Sequence, residues 1–259
     1  MEDLPGGLYD HPRYYDLVFG SDWKAEADFL CGAFDEFAHG KVKSLFEPAC
    51  GTGRLLYRLA VKGFRVAGLD LNPHAVEFCN ARLKKHGLPE SVFVADMADF
   101  QLKKPVDAAF NTINSFRHLP TEKAALGHLK SMAAAVRKGG LYLLGLHLTP
   151  TSGVADDEES WSARRGQLAA TSHLKTFGLD LKKRVERCRM EVNLYTPTAS
   201  YRVIDELVFR TYTAPQMKKL LASLPEWDVV TAFDFHYDLS APIPIEADTQ
   251  DVVFVLRRR

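Results

Sequence analysis

The sequence predicts an α/β fold, in which a mostly parallel sheet with crossover helices carries an inserted antiparallel β-meander. Residues 44–148 alternate short apolar runs with amphipathic helical patterns, which is the order that parallel strands and their crossover helices produce. Residues 149–212 change to stretches in which apolar side chains recur at every second position, a period typical of antiparallel strands. A helical pattern and two further strands follow.

Five strands of the parallel part are expected in order along the chain. They are Ser44–Glu47, Arg65–Asp70, Ser91–Ala95, Val106–Phe110 and Leu141–Leu148. Helices should connect them, because Pro73 suits a first helical turn and Thr121 is a good N-cap. Glycines mark the expected helix ends, and the last of these helices should stop at Gly139–Gly140.

The meander should contain three strands, Gln167–Phe177, Arg187–Tyr195 and Tyr201–Tyr212. The acidic run of residues 156–159 is interpreted as a solvated loop before them. After them come a helix over Thr213–Leu224 and strands at Trp227–Phe233 and Asp251–Leu256. We therefore divide the chain into helices over residues 1–39, an α/β core over 40–148 and 213–259, and an inserted meander over 149–212.

The amino-acid composition argues against several classes of function. The 259 residues include 33 basic and 33 acidic side chains, a balance that argues against a nucleic-acid partner. The four cysteines show no CxxC spacing, so neither a metal site nor a disulfide framework is expected, and reduced thiols in the cytoplasm are the simplest interpretation. The beginning of the chain lacks the order of a signal peptide, and Leu141–Leu148 is too short to span a membrane.

The stretch from Glu47 to Gly53 lies between an expected strand and an expected helix and has the sequence EPACGTG. Gly51 and Gly53 permit a tight turn and a close approach of a ligand to the main chain. A dinucleotide is the obvious rival ligand, but Leu56 replaces the third glycine of its motif and Glu47 stands where a pyrophosphate would lie. A carboxylate there favours a ligand with an ammonium or sulfonium group.

Acidic residues also end the next two strands. Asp70 comes 17 residues after Gly53 and points into the same cleft after one crossover, where it can accept hydrogen bonds from both hydroxyls of a ribose. Asp96 can accept from an adenine amino group, or be satisfied by a nearby backbone amide, while Met97 or Leu71 packs on the ring. Together these positions predict a nucleoside site.

At this point the chain resembles the class I S-adenosylmethionine-dependent methyltransferases, through four motifs in order. The motifs are EPACGTG at 47–53, VAGLD ending at Asp70, VFVADM at 92–97 and KGGLYLL at 138–144. The resemblance implies a Rossmann-like sheet of seven strands with the last antiparallel, S-adenosylmethionine as cofactor, and a lid helix at Tyr15–Phe19 within residues 1–39. The cofactor contacts it implies, together with the residues above, are Tyr15, Glu47, Ala49, Cys50, Gly51, Thr52, Gly53, Asp70, Leu71, Asp96, Met97 and Asn111.

A narrower resemblance is to the amino-sugar N,N-dimethyltransferases, in which a comparable meander helps form the substrate pocket and a dimer contact. The loop at 111–118 departs from the Asp/Asn-Pro-Pro-aromatic signature of methyltransferases that modify amines of nucleic-acid bases. His118 in that loop is a candidate general base, although a loop histidine with a purely structural role is the alternative.

These observations lead to a methyltransferase for a small-molecule acceptor, in which an amine is the expected nucleophile and a homodimer is one expected assembly. Two alternatives stay open: a methyltransferase for RNA or protein, and a binding module that keeps the cofactor site without turnover.

Overall fold

The structure, a computed structural model, describes residues 1–20, 23–153 and 157–259. Its strands are β1 (Glu2–Asp3), β2 (Ser44–Pro48), β3 (Arg65–Asp70), β4 (Val92–Val94), β5 (Val106–Asn111), β6 (Val136–His147), β7 (Glu158–Arg165), β8 (Leu168–Asp180), β9 (Val185–Tyr195), β10 (Ser200–Arg210), β11 (Trp227–Phe233) and β12 (Asp251–Arg258). Its α-helices are α1 (Pro12–Phe19), α2 (Trp23–Phe37), α3 (Leu56–Val61), α4 (Pro73–Lys85), α5 (Glu122–Ala135) and α6 (Ala214–Ala222).

Seven strands form the central sheet in the order β11-β12-β6-β5-β2-β3-β4. The pairs from β6 through β5, β2 and β3 to β4 are parallel, whereas β12 runs antiparallel to both of its neighbours. The expected sheet of seven strands with an antiparallel last strand is therefore confirmed. Its order places the carboxyl ends of β2, β3 and β5 side by side, which is where ligands bind in open α/β sheets.

Helices cover both faces of this sheet, because successive residues of each buried strand point to opposite sides. On one face α5 and α6 pack against Tyr142 and Leu144 of β6. On the other face α2, α3 and α4 pack against Leu141 and Leu143 of the same strand. Residues 141–146 of β6 are buried on both faces of the sheet, which explains why this stretch is one continuous apolar run in the sequence.

The second sheet has the order β1-β10-β9-β8-β7. Strands β7 to β10 form the antiparallel meander, and β1 joins its edge in parallel with β10. Leu17 and Val18 of α1 pack on the apolar face of this sheet with Met190 and Val192. Helix α1 thus belongs to the core of the second sheet, whereas α2 packs on the central sheet.

Two predicted elements are wrong. Glu158 and Glu159 do not lie in a loop but begin β7, a fourth meander strand, in which Glu158 pairs with Lys175 across the ladder at 3.0 Å. Position 156 of the acidic run lies outside the described residues. Helix α5 ends at Ala135 rather than at Gly139–Gly140, because β6 begins at Val136 opposite Val106 and a bulge takes up the glycines before the main ladder.

The predicted capping positions are confirmed. Pro73 is the first residue of α4, and the Asn72 side chain before it accepts a hydrogen bond from the amide of His74. Thr121 caps α5 in the same way through the amide of Ala124. Local sequence thus sets where these helices begin.

A buried carboxylate, Asp16 on α1, connects the two sheets. It accepts hydrogen bonds from the Thr52 hydroxyl at 3.0 Å and from Arg165 of β7 at 2.7 Å, and it forms an ion pair with Arg82 of α4 at 2.5 Å. Burial would raise the pKa of Asp16, but the hydrogen bonds from the two arginines lower it below its usual value. One side chain therefore holds α1, the glycine loop, α4 and the meander together.

We expect Asp16→Asn to lower the free energy of unfolding by about 3 kcal/mol near neutral pH, because two guanidinium groups lose their counter-charge in a buried place. Because the pKa of Asp16 is lower in the folded protein, its stabilisation is fully present above the ordinary pKa of 3.8 and is lost as the pH falls through the pKa of the folded state. The difference in unfolding free energy between wild type and Asp16→Asn should therefore become smaller at acid pH. Urea unfolding at several pH values measures this. Asp28→Asn, which removes an exposed carboxylate with two lysine partners, is the control and should change little; an equal loss in both variants would contradict the role of Asp16.

Candidate active site

A cavity of about 830 Å³ lies between the carboxyl ends of the central strands and the meander. One end is walled by the glycine loop and the ends of β3 and β4, and the other by side chains of β7 to β10. The predicted site residues on its wall are Tyr15, Ala49, Gly51, Thr52, Asp70, Leu71, Asp96, Met97 and His118. The structure thus brings nine of the thirteen predicted residues to one space.

The glycine loop turns sharply after β2. Ala49 has a φ of 51° and Gly51 a φ of 52°, so the chain passes through left-handed conformations that are costly for a residue with a Cβ. The amide of Gly51 points to Asp70, to which it donates a hydrogen bond of 2.7 Å. A strained alanine at a cavity wall is a feature that active sites commonly retain.

Two members of the loop have packing roles and lie off the cavity wall. A Cβ on Gly53, whose φ is 66°, would come within 2.2 Å of the Cys79 sulfur of α4. Cys50 is buried beside Gly68 of β3, where a Cβ on that glycine would come within 3.0 Å of its sulfur. Whether Cys50 and Gly53 also touch the cofactor stays a prediction.

Asp70 ends β3 and lies on the cavity wall. Its carboxylate accepts from the amides of Gly51 and Asn72, at 2.7 and 2.9 Å. Burial raises its pKa above the usual value, although these backbone amides act against the shift. Each carboxylate oxygen has a second lone pair, so two hydroxyls of a ribose can still be bound.

At the end of β4, Asp96 accepts from the amide of Ala98 at 2.7 Å and is otherwise exposed. Met97 is buried, and Leu71, the residue after Asp70, is exposed at 70%; both lie on the cavity wall. The predicted adenine position therefore has an acceptor and two apolar side chains on the wall of the same cavity, and its role stays a prediction.

Glu47 and Asn111 lie beneath the loop, at the ends of β2 and β5, and are not on the cavity wall. Glu47 is 7% exposed, its Oε2 is buried without a hydrogen-bond partner in the described part of the chain, and burial raises its pKa well above the usual value. The Asn111 side chain donates to the Pro48 carbonyl at 2.7 Å, while its Oδ1 is also unpartnered. Two unpaired acceptors close to a glycine loop fit a cofactor that carries an ammonium group.

Aromatic side chains from the N-terminal segment form the roof of the cavity. Tyr9 contacts Tyr15, Tyr15 contacts Phe19 and Phe19 contacts Trp161 of β7, with ring centroids 5.6, 4.8 and 5.7 Å apart. The Trp161 indole donates to the Val18 carbonyl of α1 at 3.1 Å. Burial raises the pKa of Tyr15 to about 12, so it is a neutral phenol in the physiological range. The row covers part of the cavity between α1 and the meander.

His118 reaches the cavity from the 3-10 turn after β5. Its Nε2 is 3.1 Å from the Tyr9 hydroxyl, and its ring lies 4.9 Å from that of Phe209. Burial among these rings and the neighbouring Arg117 lower its pKa. His118 is therefore a neutral imidazole with one nitrogen already occupied, and its part in catalysis stays a prediction.

Sequence analysis did not predict several of the residues that line the cavity. The acceptor end of the cavity is walled by Ile113, His147, Glu159, Leu174, Met190 and Leu207. Alternation along the meander predicts that one face is apolar, but not that the face meets this cavity. Asp16 lies within the predicted lid helix and Tyr9 precedes it, and only tertiary structure shows their partners.

Within the described residues no group of histidine, cysteine, aspartate or glutamate side chains is arranged to hold a metal ion. No helix in that part of the chain is long and apolar enough to cross a membrane.

Comparison with known proteins identifies the α/β core. The family model of a methyltransferase domain matches residues 46–140. A putative methyltransferase from Geobacillus sp. (strain WCH70) is 23% identical over 137 residues, which cover 52% of this chain and 56% of that protein. The dTDP-3-amino-3,4,6-trideoxy-alpha-D-glucopyranose N,N-dimethyltransferase of Streptomyces venezuelae is 28% identical over 138 residues, with the same coverage of 52% and 56%. The chain thus spans about half the length of the curated relatives it matches.

Among solved structures, Streptomyces venezuelae DesVI is similar in fold, with a TM-score of 0.77 and 19% identity over 95% of this chain and 98% of that one. The likeness extends across both sheets, so the fold with its meander is shared. Both resemblances found in the sequence, the broad and the narrow, are confirmed.

We expect Gly53→Ala to destabilise the protein more than Gly63→Ala. Both positions have positive φ, which costs an alanine about 1–2 kcal/mol, but only at Gly53 does the new methyl group meet the Cys79 sulfur, whereas nothing lies within 4 Å at Gly63. Thermal unfolding of the two variants measures the difference. In a Cys79→Ala background the excess should shrink; an excess that persists there would show that Gly53 is required for another reason.

Proposed function

We propose that this chain, whose core is a class I S-adenosylmethionine-dependent methyltransferase domain, transfers a methyl group to an amine of a small molecule. The observation that carries the proposal is the single cavity that joins the nucleoside residues at one end to an apolar meander wall at the other. A cofactor-binding module without turnover would not need the second half of that space. A macromolecular acceptor would need an open surface there rather than a roofed cavity.

The cofactor supplies an activated methyl group on a sulfonium centre. In the chain, Asp70 holds the ribose, Asp96 and Leu71 hold the adenine, and the unpaired Glu47 carboxylate neutralises the ammonium of the methionine part. The roof of Tyr9, Tyr15 and Phe19 excludes water. Alignment and desolvation supply much of the rate enhancement in such a reaction, so few side chains need to take part in bond making.

The acceptor class follows from the charge of the wall. Among the described residues that line the cavity there is no lysine or arginine, whereas Glu159 stands at the meander end. A nucleoside diphosphate would have its phosphates without a cationic partner, which such groups normally have. An amine without phosphate, held through its positive charge by Glu159 and through its carbon skeleton by Leu174 and Met190, fits the wall better. Amino sugars and other compact amines belong to this class.

We also propose a domain organisation and a cellular location for the chain. Of residues 1–39, the segment up to Phe19 acts as lid, whereas α2 packs with 40–148 and 213–259 in the catalytic core, and 149–212 is the substrate or dimer layer. Exposed apolar side chains on the meander, Phe177, Leu179, Leu181 and Val208, support a homodimer through that layer. The four cysteines are free thiols, which agrees with the cytoplasm as its location.

We expect Asp70→Ala to weaken binding of S-adenosylhomocysteine by about 2–5 kcal/mol, on the order of 30- to several-thousand-fold, because the ribose loses two charge-assisted hydrogen bonds. Asp70→Asn should fall between wild type and Asp70→Ala. Isothermal titration measures the affinities. The control is Asp107→Asn, which lies at the amino end of β5 with Arg137 as partner and should change stability without changing affinity. Wild-type affinity in a folded Asp70→Ala protein would remove the ribose assignment.

We expect methyl label from S-adenosylmethionine to enter phosphate-free amines in preference to the same amines attached to a nucleoside diphosphate, with none in RNA or protein. Mass spectrometry of single-acceptor reactions and of fractionated extract measures this. Glu159→Gln should raise KM for a cationic amine about two- to fivefold, the range of an exposed ion pair, whereas the neighbouring Glu158→Gln should not, since Glu158 bonds Lys175 outside the cavity. Label found only in macromolecules would favour the alternative function, and label found nowhere would favour a binding module.

A further inference from the structure

A second histidine, His147, stands at the carboxyl end of β6 and lies on the wall of the cavity. Its Nδ1 is 2.5 Å from Oδ1 of Asp251, the first residue of β12. The ring of Phe235 packs edge-on at 5.1 Å between centroids. The imidazole is therefore fixed in orientation by a carboxylate on one side and an aromatic ring on another.

His147 is also fixed to the loop that follows β5. Its amide donates to the Asn114 side chain at 3.1 Å, and the Asn114 amide donates to the carbonyl of Gly145 at 3.2 Å. Asn114 adopts a left-handed conformation, with φ of 58°, to make both contacts. The ring thus stands beside the loop that leaves the strand end where the acceptor must meet the methyl group.

The carboxylate determines which ring nitrogen can act as a base. An ionised Asp251 can only accept, so Nδ1 carries a hydrogen, and in the neutral imidazole the lone pair is then on Nε2. Nε2 makes no hydrogen bond within the described part of the chain. The corresponding nitrogen of His118 already contacts the Tyr9 hydroxyl.

We propose that His147 is the proton acceptor for the amine that is methylated, and that Asp251 positions it. The inference rests on the proposed function. The amine binds as its cation, Nε2 accepts a proton from it, and the lone pair freed on the nitrogen forms the bond to the methyl carbon while the electron pair of the broken carbon–sulfur bond stays on sulfur. The resulting imidazolium is stabilised by the Asp251 carboxylate, so the charge of the proton is balanced where it arrives.

The proton has a path out of the cavity. Asp251 also lies on the wall of a second, open pocket of about 520 Å³ that includes Glu246 and Asp248. Its side chain is 45% exposed, so the imidazolium can return to neutrality through a group in contact with water. The pair therefore connects a roofed cavity to solvent.

Other titratable groups share the cavity with His147. They are Asp70 and Asp96 at the strand ends, Glu159 of β7, His118 after β5, and Tyr9 and Tyr15 in the roof. Asp70 and Asp96 are assigned to the nucleoside in the proposed function. Desolvation raises the pKa of both tyrosines, so each stays a protonated phenol near neutral pH and cannot accept a proton there. Glu159 is suited to hold the substrate's charge, but no hydrogen-bond or ion-pair partner in the described part of the chain fixes it in place.

The kinetic test uses His147→Asn with the phosphate-free amine that the wild type turns over best. We expect kcat near pH 7 to fall about 100-fold, within the range for general base catalysis, with KM for the cofactor unchanged. The loss should shrink as the pH rises, because bulk base then deprotonates the amine. The control is His236→Asn, since His236 has the same kind of aspartate partner, Asp234 at 2.9 Å, but is exposed and off the cavity wall.

A second test does not depend on turnover. Nitrogen-15 NMR of histidine rings should show His147 as the Nδ1–H tautomer in wild type. The Asp251→Asn variant should lose that preference. Addition of S-adenosylhomocysteine together with the amine should shift the Nε2 resonance of wild type. An active wild type whose His147→Asn variant keeps the same kcat and pH profile would overturn the proton role alone. An Nε2–H tautomer in wild type would overturn it as well. An inactive wild type would overturn the proposed function and the inference together.

Discussion

The arrangement of the whole site depends on the buried carboxylate of Asp16. Neither sheet by itself encloses a cavity: the central sheet offers only an edge, and the meander only an apolar face. Asp16 accepts from Thr52 and Arg165 and pairs with Arg82, so one charge fixes the distance between the glycine loop, the crossover helix and the first meander strand. A buried ion pair of this kind contributes uncertain stability, yet it allows few alternative arrangements.

Two buried acidic residues close to the cavity differ in how their charge is satisfied. Asp16 has charged partners and a lowered pKa. Glu47 has an unpaired oxygen, and its pKa is raised. The charge of Asp16 is fully compensated by groups of the protein itself. The unpaired oxygen of Glu47 is costly in the protein alone, and in the proposed function the ammonium of the cofactor compensates that cost.

Periodicity and capping residues were enough to predict the central sheet, because each strand and helix there is specified by its own segment. The glycine loop and Asp70 were predicted for the same reason, since a strand end fixes the position of the residue that follows it. The strand at Glu158 was missed because an exposed edge strand lacks apolar alternation, and the early start of β6 was missed because a bulge separates Val136 from its main ladder. His147 and Asp251 are 104 residues apart in sequence, and only the pairing of β6 with β12 brings them together.

The pairing of the short strand β1 with β10 affects how the chain folds during translation. Glu2 and Asp3 pair with Tyr201 and Arg202, and an Arg202 to Asp3 ion pair joins positions 199 residues apart. Residues 2 and 3 are synthesised well before their partners at 201 and 202, and the roof carried by the same segment cannot form until the meander has been synthesised. During translation the cofactor loop of residues 47–53 emerges and folds with an open edge. A newly made chain is thus exposed to premature contacts of Tyr9, Tyr15 and Phe19 with other apolar surfaces, a risk that grows with any delay in synthesis of the meander.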